Sequence, residues 1–200
     1  MGVLGGTFDP VHTGHLIVAQ EAASAMGLDG VIFVPARHPW RKGDRPISPA
    51  EQRLEMLCLA LEGEPTFTIS RVDLDRAGPS YTVDTLSDLG EEASLYFILG
   101  WDALRELPRW WQPGRLVEMC HLVAVPRPGS LRPDLEALDR EVPGIAGRAR
   151  LLEEPLIGIS STEVRRRVRE GLPIRFLVPE AVEGYVKDNG LYVNAAKSAG

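Results

Sequence analysis

No stretch of this chain is apolar for the roughly 20 residues that a bilayer-crossing helix needs, so a transmembrane role is not expected. The N-terminus lacks a basic segment followed by an apolar core and a small-residue cleavage site, which makes a cytoplasmic protein the expectation. Cysteine is scarce. Cys58 and Cys120 are the two present, they form no CxxC, and their apolar neighbours predict buried free thiols in a reducing compartment, not a disulfide framework or a zinc site. Positive charge is not in excess either: the formal net charge is -6, so there is no overall basic field to hold nucleic acid. A small anionic ligand needs only a few local donors and stays open. Neither GxGxxG nor GxxxxGK[ST] occurs, which leaves a dinucleotide cofactor site and a P-loop without support. No Ser-His-Asp or Cys-His order suggests a covalent intermediate.

What is present reads as one globular domain. The chain has 200 residues, 44% hydrophobic and 25% charged, enough for a substantial core. Strand and helix alternate. Residues 2–5 and 31–34 read as apolar strands, and 14–26 as a helix stopped by Gly27. Ser48-Pro49-Ala50-Glu51 reads as a helix start with Ser48 as cap. Strands are expected at 66–73, 95–99, 122–125 and within 151–159, and helices at 82–89, near 133–140, from Ser161 and from Glu180. Strands without polar alternation are covered on both faces, so the fold class is α/β: a doubly wound, Rossmann-like parallel sheet, a single domain over residues 1–192 with C-terminal helices. Residues 193–200 have no periodicity and are expected to fray. Such sheets bind ligands at the carboxyl ends of the strands, where strand order reverses.

Between the first strand and the first helix lies GGTFDPVHTGHL, residues 5–16. It supplies glycines for close backbone approach, a helix N-terminus with free N–H groups, and two imidazoles, His12 and His15, in the first turn. That combination suits phosphate. The plain alternative is that His12 caps a turn and His15 packs locally. Metal ligation has less support, because the remaining imidazoles, His38 and His121, lack ligand spacing.

The motif closely resembles the signature of the HxGH nucleotidyltransferase superfamily and, within it, that of the bacterial nicotinate mononucleotide adenylyltransferases. Later segments extend the resemblance in the right order to about Tyr192. ISSTEVR, residues 159–165, reads by its own chemistry as a capping box of Ser160 and Glu163 on a charged helix. It is also similar to the family's ISSTxxR, which implies phosphate contacts for Ser161, Thr162 and Arg165. PARHPWRK, residues 35–42, stands where the family has Pro-Pro-His-Lys. Lys42 matches and is implied as a triphosphate contact, whereas Arg41 replaces the histidine and reads equally as a solvated loop charge. PSYTVDTL (79–86) and LPRWW (107–111) resemble the segments of the nicotinate nucleotide pocket. A flat pyridinium needs a ring to stack on, which gives Trp110 a physical reason to be there; Trp111 reads equally as ligand or packing. Thr82 and Asp84 read equally as cap and surface residues of their helix. GWD at 100–102 and RPG at 127–129 match later landmarks.

The resemblance thus implies an ATP site of Gly5, Gly6, Thr7, Phe8, His12, His15, Gly100, Asp102, Ile159, Ser161, Thr162 and Arg165. It implies a nicotinate nucleotide site of Lys42, Ser80, Tyr81, Thr82, Trp110 and Arg127. His12, His15, Lys42 and Arg165 are the residues expected to carry catalysis, by stabilising charge on the α-phosphate and on departing pyrophosphate. The reaction implied is transfer of AMP from ATP to nicotinate mononucleotide, with Mg2+ carried mainly by ATP and no protein metal site. Partners beyond these nucleotides, nucleic acid or membrane, are not expected, and both monomer and homo-oligomer stay open. A phosphopantetheine adenylyltransferase and a non-catalytic nucleotide-binding module are the rival readings.

Overall fold

A computed structural model describes residues 1–39, 47–90 and 94–193. Six parallel strands are described: β1 (Gly2–Gly6), β2 (Val31–Pro35), β3 (Phe67–Ile69), β4 (Tyr96–Gly100), β5 (His121–Val125) and β6 (Ala149–Leu151). They form one sheet in the order β3-β2-β1-β4-β5-β6. Strand order reverses between β1 and β4. β1 pairs with β2 over five residues, and β4 with β5 over five, but β1 and β4 pair only at Gly2↔Tyr96 and Val3↔Phe97. Beyond that point the two strands separate toward their carboxyl ends, and a crevice opens there.

Helices cover both faces, as the unbroken apolar strands require. On one side lie α1 (Thr13–Met26), α2 (Ala50–Leu61), α9 (Ser161–Arg169) and α10 (Glu180–Asp188), packed on Leu4, Phe33, Ile98 and Val123. On the other lie α4 (Thr82–Leu89), α5 (Trp101–Arg105), α6 (Pro113–Met119), α7 (Leu135–Glu141) and α8 (Ile145–Arg148), packed on Val3, Val34, Phe97 and Leu122. Consecutive strand residues such as Val3 and Leu4, or Phe97 and Ile98, thus feed opposite cores, as a period of two dictates. The short α3 (Val72–Asp75) follows β3. Among the described residues no helix is long and apolar enough to cross a membrane.

Several sequence expectations are corrected. The strand expected over 66–73 ends at Ile69, because the Ser70 N–H takes the carbonyl of Phe33 and the acidic Val72–Asp75 run turns helical. The strand expected within 151–159 lies earlier, at Ala149–Leu151. After the Leu152 N–H meets Ala124 O at 2.9 Å, the chain leaves the sheet edge and crosses toward the crevice. Ser48 does not cap α2; Pro49 occupies that position, and Ser48 is used in tertiary bonds described below. The short helix near 133–140 runs over Leu135–Glu141, capped by the Asp134 side chain. Cys58 is exposed on the solvent face of α2, while Cys120 is buried. The expected fray at 194–200 lies outside the described residues.

Candidate active site

The turn from β1 into α1 is built around its glycines. A Cβ at Gly6 would stand 2.8 Å from the Phe8 ring, which folds back over it, and a Cβ at Gly14 would stand 2.8 Å from Ile157 Cγ2 and 3.0 Å from His12 Nδ1. Both positions therefore exclude a side chain. Phe8 itself takes a left-handed backbone (φ 48°), held by its burial.

His12 is the N-cap of α1 and His15 lies in its first turn. The His12 backbone N–H donates to His15 Nδ1 at 3.1 Å, the His15 N–H donates to His12 O at 2.9 Å, and the two rings stack with centroids 3.6 Å apart. Because Nδ1 of His15 accepts, the neutral ring carries its proton on Nε2. Phe8 backs the same ring edge-on at 5.0 Å. His12 is only 5% exposed, and its Nδ1 has no hydrogen-bond partner among the described residues. Burial first, and then the nearby Arg127 guanidinium, push its pKa down to about 4. The ring is thus neutral at pH 7. The sequence expectation is of a phosphate-facing charge stabiliser, and His12 stands in the lining of the crevice as a neutral imidazole.

The crevice is a cavity of about 380 Å³. Of the residues expected to face ATP, it is lined by Gly5, Gly6, Thr7, Phe8, His12, His15, Gly100, Ile159 and Ser161. Of those expected to face the acceptor, it is lined by Ser80, Thr82, Trp110 and Arg127. Asp102, Tyr81, Thr162 and Arg165 stand outside that lining. Asp102 is exposed in the first turn of α5. Arg165 differs most from expectation. It is buried, donates from Nη1 to the carbonyl of Asp9, pairs with the Asp9 carboxylate at 3.7 Å, and reaches Thr162 Oγ1 at 3.4 Å. Its charge is spent behind the phosphate-facing turn. Lys42 and Arg41 lie outside the described residues.

The ISSTEVR segment caps α9 as its sequence suggests in one respect: Ser160 Oγ accepts from the Glu163 N–H at 3.2 Å. The reciprocal half of the box is replaced, since the Glu163 carboxylate takes the Arg166 guanidinium at 2.7 and 2.9 Å. Ser161 Oγ donates to Pro10 O at 2.9 Å, tying the start of α9 to the opening turn.

At the opposite end, Trp110 lines the cavity and meets Phe97 edge-on at 6.2 Å. Trp111 turns outward, is 53% exposed, and stacks on Tyr81 with centroids 5.5 Å apart. Ser80 Oγ accepts from the Arg37 and His38 N–H groups at 3.1 and 3.4 Å, which fixes the chain leaving β2. Asp73 and Thr85, missed from sequence, also line this end. Thr85 Oγ1 donates to Asp73 Oδ1 at 2.6 Å, and Arg76 Nη2 donates to the same oxygen at 2.6 Å. Asp73 falls at the end of the strand expected over 66–73, so nothing in the sequence marks it. The arrangement as a whole offers the neutral His12 ring, His15 and Arg127 for phosphate, and a ring-walled recess for a flat group.

Comparison with known proteins agrees with this geometry. Residues 3–167 match the cytidylyltransferase-like family. A relative from Dehalococcoides mccartyi, named "Probable nicotinate-nucleotide adenylyltransferase", is 48% identical over 195 residues, 96% of each chain. One of the same name from Saccharopolyspora erythraea is 46% identical over 203 residues, covering 100% of this chain and 92% of its own. A structure of Plasmodium falciparum nicotinic acid mononucleotide adenylyltransferase complexed with NaAD shares the fold, with a TM-score of 0.76 at 19% identity over 96% of both chains. By its match to that family model and by its near-half identity to these full-length relatives, the chain belongs to the nicotinate-nucleotide adenylyltransferase family.

Proposed function

We propose that this protein transfers AMP from ATP to the phosphate of nicotinate mononucleotide, releasing pyrophosphate and forming nicotinate adenine dinucleotide, a step of NAD biosynthesis. The observation that carries the reading is the single cavity that opens where β1 and β4 part. The stacked His12–His15 pair lies on one wall, and Trp110, Ser80 and Thr82 on the other. One end fits a triphosphate and the other a flat pyridinium nucleotide.

In the reaction an oxygen of the acceptor phosphate bonds to the α-phosphorus, and the bond from that phosphorus to the bridging oxygen of the β-phosphate breaks. The attacking phosphate is an anion at neutral pH, so no general base is required. The protein's part is to orient two nucleotides and to stabilise charge that moves toward pyrophosphate. Nε2–H of His15, His12 and Arg127 are the donors at hand, and Lys42 joins them by family resemblance. Magnesium would enter with ATP: among the described residues no group of three or more His, Cys, Asp or Glu could cage it, and Asp73, on the cavity wall, is committed to Arg76 and Thr85. A cytoplasmic setting suits this chemistry and the free thiols of Cys58 and Cys120.

Pyrophosphate release with ATP and each of nicotinate mononucleotide, nicotinamide mononucleotide and 4′-phosphopantetheine tests the reading. Release is expected with nicotinate mononucleotide. Release only with 4′-phosphopantetheine would replace the acceptor, and none with any acceptor would leave a nucleotide-binding module.

A further inference from the structure

Beneath the phosphate-facing turn lies a buried polar cluster that does not line the cavity. Arg53, on α2, is 1% exposed. Its Nη1 donates to Thr7 O at 2.7 Å and its Nε to Ser48 O at 3.0 Å. Asp9 is the centre: its carboxylate accepts from Tyr192 Oη at 2.7 Å and from the Ser48 N–H at 3.4 Å, and pairs with Arg165 at 3.7 Å. Tyr192 reaches it from the far end of the chain and holds a left-handed backbone (φ 65°), which a bulky residue keeps only when its surroundings enforce it. Burial and the Asp9 carboxylate both keep its phenol protonated, so it remains a donor.

These bonds join the opening turn, Ser48 with the α2 helix that follows it, the α9 helix that carries Ser161, and Tyr192 near the C-terminus. Two of them, the opening turn and the start of α9, contribute Thr7 and Ser161 to the cavity lining. A buried arginine satisfied by two carbonyls serves folding in any case; what ties this one to the site is that one of those carbonyls belongs to Thr7, a residue of the cavity lining.

We propose that Arg53 and Tyr192 are positioning residues for the ATP phosphates, acting through Asp9 and Thr7, so that the C-terminal segment must dock before the phosphate site is complete. The proposal rests on the ATP half of the function proposed above. Tyr192→Phe removes one hydroxyl, and Arg53→Met removes the guanidinium at similar volume. Calorimetric titration with magnesium-ATP, in the absence of any acceptor, should show affinity weakened roughly tenfold in Tyr192→Phe and more in Arg53→Met, as the turn that faces the phosphates loses its support. In turnover, KM for ATP should rise while KM for nicotinate mononucleotide stays put. Arg53→Lys, which keeps the charge but cannot span both carbonyls, should recover part of the loss.

Wild-type ATP affinity in Tyr192→Phe, with or without a lowered melting temperature, would overturn the proposal. Equal losses for both substrates would overturn it too, since that is what general loosening produces. Pyrophosphate release by the wild type with nicotinate mononucleotide is scored separately. Its absence overturns the acceptor reading and leaves the ATP titration to decide the hub.

Discussion

At the scale of single residues, the site is controlled by what cannot be added as much as by what is present. Gly14→Ala would press a methyl against Ile157 and the His12 ring, so it should cost about 1–3 kcal/mol of stability and displace the imidazole. Adding Ile157→Val should recover part of that cost in urea unfolding; if the double variant is no better than the single, the contact is not the cause. His15→Ala should leave the circular dichroism spectrum unchanged and slow kcat by ~10²–10³, as for loss of one charge-stabilising donor. His12 gives a pH signature. The unfolded chain binds a proton at this ring below about pH 6.5, whereas the folded ring stays neutral until about 4. Stability is therefore fully present above pH 6.5 and is lost as pH falls toward 4, by about 3 kcal/mol at most. Urea unfolding of the wild type should fall more steeply over that interval than unfolding of His12→Gln; parallel curves would show that the ring is not held neutral by its burial.

At the scale of elements, the local signals that carried most weight were those confined to one element. Helices at 82–89, from Ser161 and from Glu180 stand where caps and periodicity placed them. Ser160 caps α9 through the Glu163 N–H, so Ser160→Ala should lower stability by about 1 kcal/mol, read in thermal or urea unfolding, without altering the fold. Elements whose ends depend on distant partners were less legible. The apolar residues of 152–159 resemble a strand, yet the Glu154-Pro155 step has no N–H to offer a neighbour at Pro155, and the segment delivers Ile157 and Ile159 to the cavity. Nothing in the local sequence singles out Arg53; its partner Thr7 is 46 residues away, beyond any local pattern. The ISSTEVR resemblance singles out Arg165, but nothing local shows its engagement with Asp9, 156 residues away.

At the scale of the whole molecule, one topological fact organises the rest. A doubly wound sheet whose order reverses between β1 and β4 must part there, and the parting places the β1–α1 turn opposite the end of β4. The histidines and the ring-walled recess then face one space, which is what transfer between two bound nucleotides requires. Trp110 lines the cavity and, on the function proposed above, walls its acceptor end, so Trp110→Ala should raise KM for nicotinate mononucleotide, by roughly tenfold for a lost stacking contact, and leave KM for ATP nearly unchanged. Equal effects on both substrates would mean that Trp110 supports the cavity and not the acceptor. The central claim is adenylyl transfer, and its most direct test is to follow the label from ATP marked at the α-phosphate, mixed with nicotinate mononucleotide and magnesium. The account predicts that the label passes into nicotinate adenine dinucleotide while unlabelled pyrophosphate is released. Label recovered in free AMP, or retained in ADP with the acceptor phosphorylated, would contradict it.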